Sequence, residues 1–261
     1  MPELLYELRD NVAHLTLNRP EAANAINYGL AAALEEASIR CMEDPNVRAV
    51  LLTGAGKLFC GGGDLKSFAA QPPEELAGHL RKLTMYLHTA IQRFARMKAP
   101  LIIAVNGNAG GAGLSLALIG DLVLAGESSR FTVAYTRIGL SPDGSSSYYL
   151  PRVVGLKRAM ELMLTNRMIT AREAEAMGIV TRVVADAELL KEAEGLAREL
   201  AQGPTLAYGG VKRLLYASLN NPLYEQMDLE TEIISELSHT EDARAGIAAF
   251  LAKQAAKFSG R

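Results

Sequence analysis

Two glycine-rich clusters and two titratable side chains have the types and spacing that suit chemistry. The clusters are Gly61-Gly62-Gly63, followed at once by Asp64, and Gly110-Gly111-Ala112-Gly113. Each comes shortly after an apolar run, Val47–Thr53 and Leu101–Val105 respectively, and the second leads straight into another, Leu114–Leu118. A strand, a glycine turn and a helix in that order leave unpaired N–H groups at the helix start, where the helix dipole is positive. Glycine lets a ligand oxygen come close to those donors. Such a turn holds negative charge. Two of them, repeated at roughly 50 residues, can aim one N–H each at a single oxygen and so form an oxyanion hole.

Other readings of these clusters fit less well. A dinucleotide fold wants G-x-G-x-x-G opening the helix, and the intervals here differ. Gly113-Leu114-Ser115-Leu116-Ala117 approaches the G-x-S-x-G elbow of serine hydrolases. However, Ala117 replaces the last glycine, and about nine residues separate Ser115 from its strand. Gly56-Lys57 lacks the surroundings of a phosphate loop, because Leu51 and Leu58 stand where Gly and Ser or Thr belong. A hydrolase built on Ser115, with Asp143 or Asp186 and His239, keeps the expected chain order. The purely structural reading is close packing of helix on strand.

Asp143 lies in Ser141-Pro142-Asp143-Gly144, where every residue suits a turn. An apolar pocket around such a carboxylate would raise its pKa and strengthen it as a base. His88 sits beside the stripe Leu80, Leu83, Leu87, Ile91 and Phe94, a place where a hydrogen-bonded structural histidine is common.

The elements that must position these groups follow from periodicity. Leu4–Leu8 and Val12–Leu17 read as strands about the turn Arg9-Asp10-Asn11, and Asn18–Asn27 as a polar loop broken by Pro20. Tyr28–Met42 and Glu74–Met97 show helical spacing, with Leu65–Pro73 between them as a mobile stretch. Asp121–Ala125 and Phe131–Tyr135 read as strands, and Gly155–Arg167 as a helix. Thr170–Gly178 is a helix with Thr170 as N-cap and Glu173 at the capping-box position. Ile179–Val184 is a strand and Asp186–Ala201 a helix. From Gly203 the chain turns wholly helical, over Pro204–Leu219, Pro222–Ser238 and Glu241–Phe258. This shift divides a core of residues 1–202 from a C-terminal region, 203–261.

Phe59–Leu65 (FCGGGDL) followed by Ala104–Leu118 (AVNGNAGGAGLSLAL) resembles the two signature stretches of the crotonase, or enoyl-CoA hydratase/isomerase, superfamily. The similarity runs from Asn18-Arg19-Pro20 to Phe250 and Lys253. It implies an α/β spiral of strand–turn–helix units with a C-terminal helical trimerisation region, giving a homotrimer or hexamer. It implies an acyl-CoA thioester as substrate, with coenzyme A as part of that substrate and no separate cofactor or metal. The oxyanion hole would use the N–H groups of Gly61 and Ala112. Coenzyme A would lie along Ala22, Ala23 and Ala25, near Asp64 and Lys66, with Phe250 and Lys253 reaching it from the C-terminal region, often across a subunit interface. Leu65, Phe68 and Tyr135 would wall the acyl pocket.

Within that family the surrounding acids and bases decide the reaction. Hydration of a 2-enoyl-CoA uses two glutamates, and their aligned positions are Ser115 and Tyr135, neither of which is a carboxylate base. Asp143 aligns with a catalytic acid of some isomerases and with the attacking carboxylate of 4-chlorobenzoyl-CoA dehalogenase. His88 aligns with the general base of that dehalogenase, and Gly155–Arg167 is also close to it. The expected chemistry is therefore isomerase-type proton transfer by Asp143, ahead of dehalogenase-like hydrolysis and of hydration. Tyr135 stands where the dehalogenase has a tryptophan, and this chain has none. A non-catalytic or RNA-binding relative is the reading from another class.

Composition agrees with a catalytic core. At 261 residues, 49% of them hydrophobic, the chain can form one compact unit with an appendage. A formal net charge of -2 gives no general attraction for nucleic acid or an anionic membrane. Cys41 and Cys60 make no disulfide framework, so a reducing compartment is expected. Met1–Asp10 carries Glu3, Glu7 and Asp10 and lacks an export leader, and no apolar run reaches bilayer length. The cytoplasm is the expected location.

Overall fold

The computed structural model describes residues 1–261. The chain opens with β1 (Leu4–Arg9) and β2 (Val12–Leu17), a 3-10 turn at Pro20–Ala22, α1 (Tyr28–Glu43) and β3 (Ala49–Gly54). α2 (Leu65–Ala69) and α3 (Pro73–Arg96) follow, then β4 (Leu101–Val105), β5 (Ala109–Gly110), α4 (Ala112–Leu118), β6 (Leu122–Gly126) and β7 (Arg130–Thr132). Next come α5 (Ser146–Val154), α6 (Leu156–Thr165), β8 (Ile169–Thr170), α7 (Ala171–Ala176) and β9 (Arg182–Val184). Four helices end the chain: α8 (Leu189–Ala201), α9 (Thr205–Ser218), α10 (Leu223–Ser238) and α11 (Glu241–Leu251).

Six strands form one sheet in the order β1-β2-β3-β4-β6-β9, parallel throughout except for the antiparallel β1–β2 pair. β4 is apolar at every position because both of its faces are covered. Leu101, Ile103 and Val105 join the main core with Leu30, Leu34, Leu87 and Phe94 of α1 and α3. Ile102 and Ala104 point the other way, against Leu189, Ala193, Ala197 and Ala201 of α8. β5, β7 and β8 make a second, smaller sheet. That sheet carries the turns of the site.

Local chemistry explains the helix boundaries. Asn27 caps α1 by accepting from the Leu30 N–H, and the Thr170/Glu173 capping box expected at α7 is present. The boundary at residue 203 falls in the Gln202–Pro204 turn between α8 and α9.

Some bounds shift, since the strand expected from Ile179 starts at Arg182 and the helix expected from Asp186 at Leu189, and three further segments differ in form. The stretch expected to be mobile begins with helix α2, because Asp64 accepts from the Lys66 and Ser67 N–H groups and nucleates the turn. Tyr135 is not at a strand end. β7 stops at Thr132, Ala134 turns left-handed, and Tyr135 starts a 3-10 turn. The last helix ends at Leu251 rather than Phe258, since Lys253 takes a left-handed conformation and the tail folds back. Asp242 then receives the Ser259 and Gly260 N–H groups at 2.6 and 2.9 Å.

Candidate active site

The two glycine turns stack on each other. The Gly110 N–H donates to the Cys60 carbonyl at 3.0 Å, and the Cys60 N–H to the Asn108 carbonyl at 3.2 Å. A side chain on Gly113 would collide with the Cys60 carbonyl, so glycine is required for this approach. Ala112 opens α4, and its N–H therefore has no intrahelical acceptor. On the other turn, Gly61 does not supply the free donor expected of it. Its N–H is held at 2.8 Å by the Ala23 carbonyl. The Gly63 N–H has no acceptor within the protein. Gly62 (φ +111°) sits between them, and a Cβ there would lie 3.6 Å from the Ala112 nitrogen. The donors of the two turns are thus immediate neighbours.

These turns open into a cavity of about 460 Å³. Its walls include Ile26, Leu65, Phe68, Leu83, Leu87, Ile138 and Leu140, and Gly63, Ala112, Tyr135 and Asp143 also line it. Asp143 is the one carboxylate on its surface.

The Asp143 carboxylate lies 2.6 Å from His88 Nε2. His88 reaches it from α3 and is not itself part of the cavity wall. Burial pushes the Asp143 pKa up, but the His88 hydrogen bond, the Gly144 N–H and the imidazole charge outweigh it. The carboxyl is held below its usual range, the reverse of the rise expected from an apolar pocket. The hydrogen bond to Asp143 in turn raises His88 above the ordinary imidazole value, against the effect of burial. Each group thus favours the charged form of the other.

The two positions aligned with the hydration glutamates serve the backbone of Asp143. Ser115 Oγ donates to the Asp143 carbonyl at 2.7 Å, and the Tyr135 hydroxyl lies 3.2 Å from the same oxygen and 3.3 Å from Ser115 Oγ. Ser146 Oγ donates to it at 2.9 Å. Burial pushes the Tyr135 phenol far up, so it stays a neutral donor. Among these contacts of Ser115 there is no imidazole, and Asp186 is engaged elsewhere, accepting from the Ser128 N–H. The Ser115 hydrolase triad is not assembled. Cys60 is fully buried beneath the turns, its thiol pushed up to about 12 by burial, and is no nucleophile at neutral pH.

The other expected residues are spread around this centre. Burial raises the Asp64 pKa, but the bond from Arg19 and the two capping N–H groups outweigh it and hold the carboxyl low. Its oxygens are therefore committed to protein partners. Lys66 is exposed at the start of α2. The Ala22, Ala23 and Ala25 N–H groups are satisfied within their own loop. Phe250 is 83% exposed at the end of α11, Lys253 lies beyond that helix, and neither lines this chain's cavity.

Asn24 was not foreseen. Fully buried, it donates to the Ala55 and Leu58 carbonyls and accepts from the Arg19 N–H, pinning the 18–27 loop to the first glycine turn. An asparagine among alanines signals only a local turn, and the two carbonyls it donates to lie more than thirty positions away.

The family model described as enoyl-CoA hydratase/isomerase matches residues 7–261. The chain belongs to that family. Its spiral core with added C-terminal helices is the crotonase fold, and an enoyl-CoA hydratase from Polaromonas sp. JS666 superposes with a TM-score of 0.91 at 32% identity, over 98% of this chain and 99% of that one. Curated relatives of this family member differ in their reactions. A 1,2-epoxyphenylacetyl-CoA isomerase of Escherichia coli (strain K12) is 38% identical over the whole of both chains. A 4-chlorobenzoyl coenzyme A dehalogenase-2 of an Arthrobacter species is 36% identical over 95% of this chain and 90% of its own. No helix of the family member is long and apolar enough to cross a membrane.

Proposed function

We propose that this protein is an acyl-CoA isomerase in which Asp143 carries a proton between two carbons of an enolised thioester. The observation that carries the reading is that Asp143 is the single carboxylate on a cavity shared with the Gly63 and Ala112 donors. The thioester oxygen binds at those two N–H groups, each contributing roughly 2.7–4 kcal/mol as charge develops. The Asp143 carboxylate takes the C2 proton of a 3-enoyl-CoA, the dienolate forms, and the resulting carboxylic acid returns the proton at C4. The His88 hydrogen bond favours the ionised form of Asp143 without entering the reaction. A second glutamate-held water is not needed, which agrees with hydroxyls at 115 and 135. The isomerase relative's name adds ring-derived acyl groups to the substrates worth testing.

Purified protein mixed with a 3-enoyl-CoA should develop the ultraviolet band of a conjugated thioester, and Asp143→Asn should abolish it. If Asp143→Asn retains the rate, Asp143 is not the base.

The closeness of His88 to Asp143 favours one second reading, hydrolytic dehalogenation of an aryl-CoA. There Asp143 would attack the halogen-bearing ring carbon and expel halide, and His88 would take a proton from the water that hydrolyses the aryl ester, releasing the hydroxyaryl-CoA and the Asp143 carboxylate. The absence of His88 from the cavity wall ranks this reading second. His88→Ala separates the two, since an isomerase should tolerate it while a dehalogenase should accumulate the ester on Asp143.

Coenzyme A is assigned to the 18–27 loop through the carbonyls of Ala22, Ala23 and Ala25, with Lys66 near its phosphates. Phe250 and Lys253 of a neighbouring copy complete that site in a homotrimer or hexamer.

A further inference from the structure

Asp143 opens a strained turn that its own backbone closes only weakly, through the Ser146 N–H to the Asp143 carbonyl at 3.3 Å. Gly144 (φ +60°) and Ser145 (φ +69°) follow it in succession in the left-handed region, and Ser145 is not a glycine. The Asp143 carbonyl is the point at which this loop is tied down. A carbonyl has two lone pairs, and the two shortest donors, Ser115 Oγ and Ser146 Oγ, fill them. Both serines are essentially inaccessible to solvent. The Tyr135 hydroxyl backs the Ser115 bond from the cavity side. Space matters as much as hydrogen bonding. A Cβ on Gly144 would lie 2.9 Å from the Ser115 Cβ, so the loop rests directly on that side chain. A longer residue at position 115 would push it away.

We propose that Ser115, Ser146 and Tyr135 are positioning residues that form a seat for the Asp143 peptide and so deliver its carboxylate to the cavity and to His88. This rests on the isomerase reading above only for its kinetic arm. The hydroxyls at 115 and 135 are on this account not the remnant of a lost hydration site. They are the reason Asp143 can occupy the floor of the cavity, and a glutamate at position 115 is incompatible with the Asp143 loop.

The test uses Ser115→Ala, Ser146→Ala, their double variant and Ser115→Glu in the full-length protein, each with two readouts. The first is kinetic, with a 3-enoyl-CoA. The single alanine variants should lower kcat by roughly 10- to 100-fold while KM stays within about twofold, as expected for a misplaced rather than a missing group. The second needs no turnover. The His88 imidazole is titrated by NMR, and its pKa should fall back toward the ordinary histidine value in the double alanine variant, because Asp143 has moved off it. Ser115→Cys, similar in size and a weak donor, should recover part of both signals. Ser115→Glu should lose isomerase activity and gain no hydratase activity.

Alanine variants with wild-type kcat and an unmoved His88 titration would overturn the seat. So would a Ser115→Glu protein that hydrates 2-enoyl-CoA while keeping Asp143 paired to His88. If the wild type is inactive on 3-enoyl-CoA but the His88 titration moves as described, the seat stands and the isomerase reading falls. Variants that do not fold are excluded by their far-ultraviolet circular dichroism, and Ser115→Cys then carries the comparison with wild type.

Discussion

Asp143 and His88 stand 2.6 Å apart, and each moves the other's titration in the direction that keeps both charged. For Asp143 the folded pKa is depressed, so its contribution to stability is present above the ordinary carboxylate value and is lost as pH falls through the depressed one. For His88 the folded pKa is raised, so its contribution is complete below the ordinary imidazole value and is lost as pH rises through the raised one. The stability difference between wild type and His88→Gln should therefore be greatest between about pH 4 and pH 6.5, and thermal melts across pH would show it narrowing on either side. The same variant should move the acid limb of the isomerase pH–rate profile upward, because the neighbouring positive charge is gone. An acid limb that stays in place would mean that His88 does not act on Asp143 during catalysis.

At the scale of the elements, the site depends on how two turns and one loop are tied together. The first turn is held from three sides, by β5 and Asn108 through Cys60, by α2 through Asp64, and by the 18–27 loop through Asn24 and Ala23. Asn24→Ala leaves two half-buried carbonyls and the Arg19 N–H without their partner. Such losses cost about 1–3 kcal/mol, which chemical denaturation should register. Because the Ala23 carbonyl also holds the Gly61 N–H, this variant should raise KM for the acyl-CoA as well. An unchanged KM would separate the loop from substrate binding. Asp64 illustrates how a residue beside the glycine cluster can serve the scaffold. It starts α2 and anchors Arg19, and in doing so brings Leu65 and Phe68 to the cavity wall.

Across the whole molecule, helices α9 to α11 present an apolar surface that one chain leaves uncovered. Leu215, Leu223, Tyr224, Ile234, Ile247, Phe250 and Leu251 are each more than 60% exposed, whereas Ile233 is the only hydrophobic side chain these helices bury. Exposed apolar side chains in this number are what the proposed trimer or hexamer would cover. Light scattering at micromolar concentration should therefore give a mass of three or six chains, and Ile234→Glu should lower it. A monomer would remove the assigned route by which Phe250 and Lys253 reach a neighbour's substrate.

Much of this architecture was legible in the sequence, because it is written in short-range patterns. The fully apolar Leu101–Val105 must be a strand covered on both faces. The Thr170/Glu173 pair must cap a helix, and glycine clusters after strands must be close-approach turns. Each of these needs only the backbone's own steric and hydrogen-bonding rules within a few residues. The family resemblance in the sequence also brought Asp143, His88, Ser115 and Tyr135 forward as candidate site residues. Only the tertiary structure decided what they do to one another. Gly61 and Gly63 are equivalent by composition, and the Ala23 carbonyl, far off along the chain, claims the N–H of the first. Asp143 in an apolar pocket should be a raised carboxyl, and an imidazole from another helix reverses the sign. A hydroxyl and a carboxylate at position 115 differ by the space that Gly144 leaves. Donor availability, pKa and fit are set by partners distant in sequence, and their identity exists only once the chain has folded.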